Sequence, residues 1–224
     1  AHAGLLLWFW RADRAGAFEM PAFETANAQA RHELTAASGD PLAQLRAIEA
    51  MRRGGASKQA LRALDALLAQ YPRFAEGHLQ RALIFTARRG GVNREAAEAA
   101  RQALALGLRE PSDAALAQSL IAFQALERGD GATAQAALDA ALTPAPGYDP
   151  DALPDGQRAE LHALRGQAYR RQGRYDDAYR EVGLALALAR AAGRDDIVAR
   201  LRQEQEIIEK HAGRKLSAAP LTSE

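Results

Sequence analysis

Small residues return along this chain at one fixed spacing, and that recurrence constrains the fold more than any other feature. In a frame of 34 residues over Ala159–Ala192, Gly166, Ala178 and Ala185 stand at positions 8, 20 and 27, with Tyr169 at position 11 and Gly173 at a turn. The same frame laid on Pro41–Phe74 selects Ile48, Met51, Gly55, Ala60, Leu64 and Leu67, and closes on Pro72 at position 32. On Ala115–Tyr148 it selects Ala122, Gly129, Ala134, Leu138, Ala141 and Pro146. Ala75–Glu110 follows with Ala82, Phe85, Ala96, Ala100 and Ala103, once two extra residues near Gly90-Gly91 are allowed. The chain is an array of repeats.

Close packing of helices explains the pattern. Small residues at positions 8 and 20 let two helices of one unit approach, and position 27 meets the first helix of the next. A turn glycine permits positive φ where the first helix stops, and proline at position 32 ends the second. One such hairpin cannot bury its apolar side, so neighbours must stack. Composition agrees: the sequence is rich in Ala, Leu, Arg, Glu and Gln, and only 6% aromatic, which favours helix throughout.

The frame resembles the tetratricopeptide repeat, a helix–turn–helix family, over about Pro41–Ala192. The resemblance implies an all-α fold, a right-handed superhelical solenoid of antiparallel helix pairs. Four repeats are expected at residues 41–74, 75–110, 115–148 and 159–192. The departures are specific. Position 4, where the family has a bulky aromatic, carries Gln44, His78, Gln118 and His162. Position 7, usually apolar, carries Arg81 and Arg165. "PSDA", Pro111–Ala114, interrupts the join to the third repeat.

The flanks complete the organisation. Pro21–Ala37 reads as a helix stopped by Gly39, and with Leu5–Arg14 it makes a degenerate hairpin within residues 1–40. Thr143–Arg158 holds four prolines and reads as an irregular loop. Asp195–His211 reads as a helix with Ile197, Val198, Leu201 and Ile208 on one side, a capping helix within residues 193–212. Residues 213–224 read as a disordered tail. The opening "GLLLWFWRADR" is too short to span a bilayer, which needs roughly 20 apolar residues. Trp8, Phe9 and Trp10 before Arg11 and Arg14 fit the interfacial end of a membrane helix. A buried first helix and a signal-peptide remnant are the alternatives, so Leu5–Trp10 leaves open a membrane-associated chain, on either side of a bacterial inner membrane, or a soluble one.

Charge and motifs exclude several function classes. With 29 basic and 28 acidic residues the net charge is +1, so no field holds a polyanion, and nucleic acid is not an expected partner. Lys58, Lys210 and Lys215 are the only lysines, which reads as the composition of a GC-rich bacterial genome. Without cysteine there is no disulfide, thiolate metal site or cysteine nucleophile. No phosphate-binding loop, dinucleotide glycine motif or Gly-x-Ser-x-Gly elbow occurs. His2, His32, His78, His162 and His211 are scattered, and "RHEL" at Arg31–Leu34 lacks the second histidine of a zincin. Asp149, Asp151 and Asp155 with Gly156 match a calcium loop only in part, because the terminal bidentate glutamate is missing. Neither catalysis, nor a metal, nor a cofactor is expected.

What remains is the surface made by stacking. The resemblance implies that first helices line a concave groove through positions 2, 5, 9 and 12. Those positions are Leu42, Leu45, Glu49 and Arg52; Glu76, Leu79, Leu83 and Thr86; Leu116, Ser119, Phe123 and Leu126; and Glu160, Ala163, Gln167 and Arg170. The expected groove has an apolar middle whose leucines and phenylalanine are at least partly exposed, and ends carrying Arg52, Arg53, Arg170 and Arg171. Such a groove suits a peptide with hydrophobic anchors and a carboxylate, since guanidinium donors grip carboxylates in pairs. The expected function is a non-catalytic adaptor that binds a segment of another protein. The alternative is an appendage of a larger membrane-bound enzyme or secretion machine whose chemistry lies outside this chain.

Overall fold

The computed structural model describes residues 20–37, 39–89 and 91–216. The Leu5–Trp10 segment and residues 217–224 lie outside these, and so do the expectations attached to them. The described residues are all-helical, with ten α-helices and one 3-10 turn, Pro150–Ala152. None of these helices is long and apolar enough to cross a membrane.

The chain divides into two compact units, Ala1–Leu108 and Arg109–Glu224. The first holds α1 (Met20–Ala36), α2 (Pro41–Arg53), α3 (Ser57–Gln70), α4 (Ala75–Arg89) and α5 (Arg94–Leu106). Each helix packs on the next, and α2 also touches α4. Ile48, Met51, Ala60, Leu64, Leu67, Leu68 and Ile84 form a core with Ala30 of α1. Asn27 of α1 donates to the Gly54 carbonyl at 3.1 Å, which ties α1 to the end of α2. Asp40 caps α2, accepting from the amides of Leu42 and Ala43, and Pro41 occupies its first position.

The second unit holds α6 (Pro111–Glu127), α7 (Gly131–Leu142), α8 (Asp155–Arg171), α9 (Tyr175–Ala191) and α10 (Asp195–Ala212). Here too each helix packs on the next, and α6 touches α8. "PSDA" is the first turn of α6 and not an interruption, because Pro111 suits a position where no intrahelical donor is needed. The proline-rich stretch is irregular only to Pro154, since α8 already starts at Asp155. Residues Gly213–Leu216 differ from the expected disordered tail. Leu216 is buried, its amide donates to Glu209, and Arg214 grips both oxygens of Asp176.

The repeat frame reappears as repeated geometry. At positions 8, 20 and 27, Ile48, Ala82, Ala122, Ala60, Ala96, Ala134, Ala178, Leu67, Ala103, Ala141 and Ala185 are at most 1% exposed, and Gly166 is buried with them. Position 15 is Gly55, Gly129 and Gly173, with φ of +73°, +77° and +76°. After each, the amide of position 16 reaches back to the carbonyl of position 11: Ala56 to Met51, Asp130 to Ala125, and Arg174 to Tyr169, all 2.9 Å. These are one helix-terminating motif built three times.

Candidate functional site: the first-helix faces

In the first unit, positions 2, 5, 9 and 12 lie on α2 and α4. Leu42 is 38% exposed, Leu45 is half-buried against the core, and Leu83 is half-buried. Leu79, at 4%, is core, which corrects the expectation that it is exposed. Arg53 is exposed and paired with Glu49 one turn before it. Such a surface pair contributes about 0.3–0.5 kcal/mol, so a stronger partner can replace it. Arg52 is half-buried, and Thr86 donates to the Ala82 carbonyl within its own helix.

In the second unit the correction is larger. Phe123 and Leu126 are each 4% exposed, so of the four expected groove positions on α6 only Leu116 and Ser119 retain partial exposure. The seven consecutive residues Leu120–Leu126 of α6 are all buried, with Gln124 the one polar member, and such a helix is buried around most of its circumference. On α8, Ala163 is buried, Gln167 and Arg170 are half-buried, and Arg171 is exposed. Arg170 is no free rim charge: its Nε donates to Glu204 Oε1 of α10 at 2.7 Å, and both side chains are under a fifth exposed.

The position-7 arginines have an account that the sequence reading lacked. Arg81 of α4 reaches Asp65 of α3 at 2.5 Å, and Arg165 of α8 reaches Asp139 of α7 at 3.2 Å. Both aspartates are position 25 of the preceding repeat, so one ion pair joins the same two frame positions in each unit. Arg165 also grips Glu181 of α9 through Nε and Nη2, at 2.9 and 3.0 Å. His162, at position 4, meets Glu181 Oε2 through Nδ1 at 2.8 Å. Burial alone would raise the Glu181 carboxyl, but the hydrogen bonds from His162 and Arg165 hold it below the usual carboxylate range. Burial likewise weakens the Arg165 charge, and Glu181 more than restores it. The other position-4 histidine, His78, is buried and bonded to the Pro72 carbonyl at 2.9 Å. These contacts are structural.

Glu160 behaves in the opposite way. Burial pushes its carboxyl up to about 8 against the pull of Arg194 and Arg200, with Asp196 adding to the rise. The partial calcium pattern is accounted for by local bonds. Asp149 accepts from the Asp151 amide, and Arg158 pairs with Asp151 and Asp155 at 2.7 and 3.4 Å. Among the described residues no group of three or more His, Cys, Asp or Glu could hold a metal ion. Among the described residues these helix faces offer apolar and charged contact surface. No protein-family model matches the chain, and no curated protein matches it either.

Proposed function

We propose that this chain is a non-catalytic tetratricopeptide-type scaffold, a right-handed solenoid of antiparallel helix pairs capped by α10, that binds a segment of another protein on its first-helix faces. The observation that carries this reading is the recurrence of the Asp65–Arg81 pair as Asp139–Arg165, at identical frame positions. The buried small positions and the three matching turns support it further. First helices of successive repeats touch within each unit, as stacking requires. A solenoid of this kind offers a long face and little concave chemistry, which suits a peptide better than a small substrate. The exposed Leu42 of α2 and the half-buried Leu45 of α2 and Leu83 of α4 are the proposed anchors, with Glu49, Arg52 and Arg53 on α2 as well. A membrane tether through Leu5–Trp10 is a separate part of the proposal.

The test is affinity purification with mass spectrometry from the native host, comparing wild type with the Leu42→Asp, Leu83→Asp double variant. The partner should be captured by wild type and lost with the double variant, whose fold is checked by circular dichroism. A partner indifferent to those changes, and lost instead with Arg62→Glu on the exposed side of α3, would sink the reading.

A further inference from the structure

The fourth repeat presents Glu160, Ala163, Gln167 and Arg170 at its ligand-facing positions, and α10, whose backbone packs on α9, reaches two of them, Glu160 and Arg170. Arg170 is bound to Glu204 at 2.7 Å, with exposures of 17% and 16%. Arg194, Asp196 and Arg200, from the N-cap and first turns of α10, act electrostatically on Glu160, and a Cβ on Gly156 would lie 3.7 Å from Arg194 Nη1. Ala163 is 2% exposed. The guanidinium expected to take a partner's carboxylate has taken one from its own chain. α10 is itself an amphipathic helix, with Ile197, Val198, Leu201 and Ile208 buried.

A helix that only covers apolar surface needs no ionised groups against α8, because desolvation offsets most of what such a pair gains. The charged seam is what a competitor for a carboxylate-bearing ligand would have. We propose that α10 is an autoinhibitory segment, seated in cis on the ligand-facing side of the fourth repeat and displaced when the partner binds. The inference rests on the adaptor reading and adds the partner's chemistry: an amphipathic helix whose carboxylate replaces Glu204 on Arg170. The seam also contains its own release. Lifting α10 returns Glu160 to water, where it ionises, so rising pH favours the open state. The charged groups acting on Glu160 are Arg194, Arg200 and Asp196. The two arginines resist that release and the aspartate assists it.

The experiment uses the full-length chain, hydrogen exchange corrected for intrinsic rate, and a labelled peptide of residues 195–212 as the probe. Amides of α10 should exchange at least about tenfold faster than those of α8 and α9, with a larger gap at about pH 9 than at about pH 6. The Glu204→Arg chain should capture the peptide at least about tenfold more tightly than wild type. Joining Arg170→Glu to Glu204→Arg should restore closure. Exchange of α10 in step with α8 and α9 in the wild type would overturn the proposal and make α10 a permanent cap, whether or not the variant folds. Fast exchange with no peptide capture by a folded Glu204→Arg chain would also overturn it, as a frayed helix. Binding at Leu42 and Leu83 is scored separately, so the adaptor reading stands or falls on its own.

Discussion

At the scale of single residues, Gly166 of α8 lies close against Ala178 and Val182 of α9. A Cβ on Gly166 would lie 2.8 Å from Val182 Cγ2 and 3.2 Å from the Ala178 carbonyl. Val182 is branched and fully buried, so it cannot turn away. Ala178→Leu should therefore cost roughly 1–3 kcal/mol by overpacking, whereas Ala187→Leu, at an exposed site on the same helix, should change little. Equal melting temperatures for the two variants would contradict the packing described for positions 8 and 20. Glu160 gives a second residue-scale prediction. Burial pushes its carboxyl up to about 8 in the folded state, from an ordinary value of 4.5. Between those values the folded state binds more protons than the unfolded one, so stability falls as pH rises through the window. Glu160→Gln should flatten that fall, leaving the melting temperature near pH 4 almost unchanged and raising it near about pH 9. A variant whose pH profile parallels the wild type would show that Glu160 is not the group responsible.

Between elements, identical frame positions have different energies because burial differs. Arg81 and Asp65 are 28% and 52% exposed, so Arg81→Ala should cost about 0–1 kcal/mol. Arg165 and Glu181 are 18% and 12% exposed, and Arg165→Ala leaves a buried carboxylate with His162 alone. That change should cost about 3 kcal/mol, read as a shift of the urea midpoint. The Glu181 carboxyl is held low in the folded state, so its contribution is present above the unfolded value of 4.5 and is lost as pH falls through the folded one. Arg165→Ala should accordingly soften the acid limb of the stability profile; equal midpoint shifts for both arginines would refute the ranking. These clasps were partly legible. The two arginines stood out as departures from an apolar position, and an aspartate at position 25 one repeat earlier was the available signal. Glu181 could not be found that way, because position 23 of the same repeat follows no rule that the frame states.

Across the whole molecule, spacing in the sequence carried the helices, the turn glycines and the buried small positions, because those depend on contacts at fixed separations along the chain. It did not carry exposure. Helical periodicity says which side of its own helix a residue occupies, not what a distant element lays over that side. Leu79, Phe123 and Leu126 were misjudged for this reason, and Arg170 because its partner lies 34 residues on, beyond the repeat. The consequence for binding is specific. Phe123→Ala removes a buried aromatic, so it should destabilise the fold by about 3–5 kcal/mol. Any loss of partner affinity in that variant then follows unfolding and says nothing of an anchor. Leu42→Ala, at a site 38% exposed, should leave the melting temperature within a degree or two yet weaken partner binding by roughly 1–2 kcal/mol if it anchors the ligand. Arg53→Ala should act more weakly, and its effect should fade with added salt, since its charge is exposed and already shared with Glu49. Isothermal titrations of the three variants at low and high salt, each paired with a thermal melt, separate these cases. Full affinity in Leu42→Ala beside a salt-independent loss in Arg53→Ala would move the ligand off the α2 face altogether.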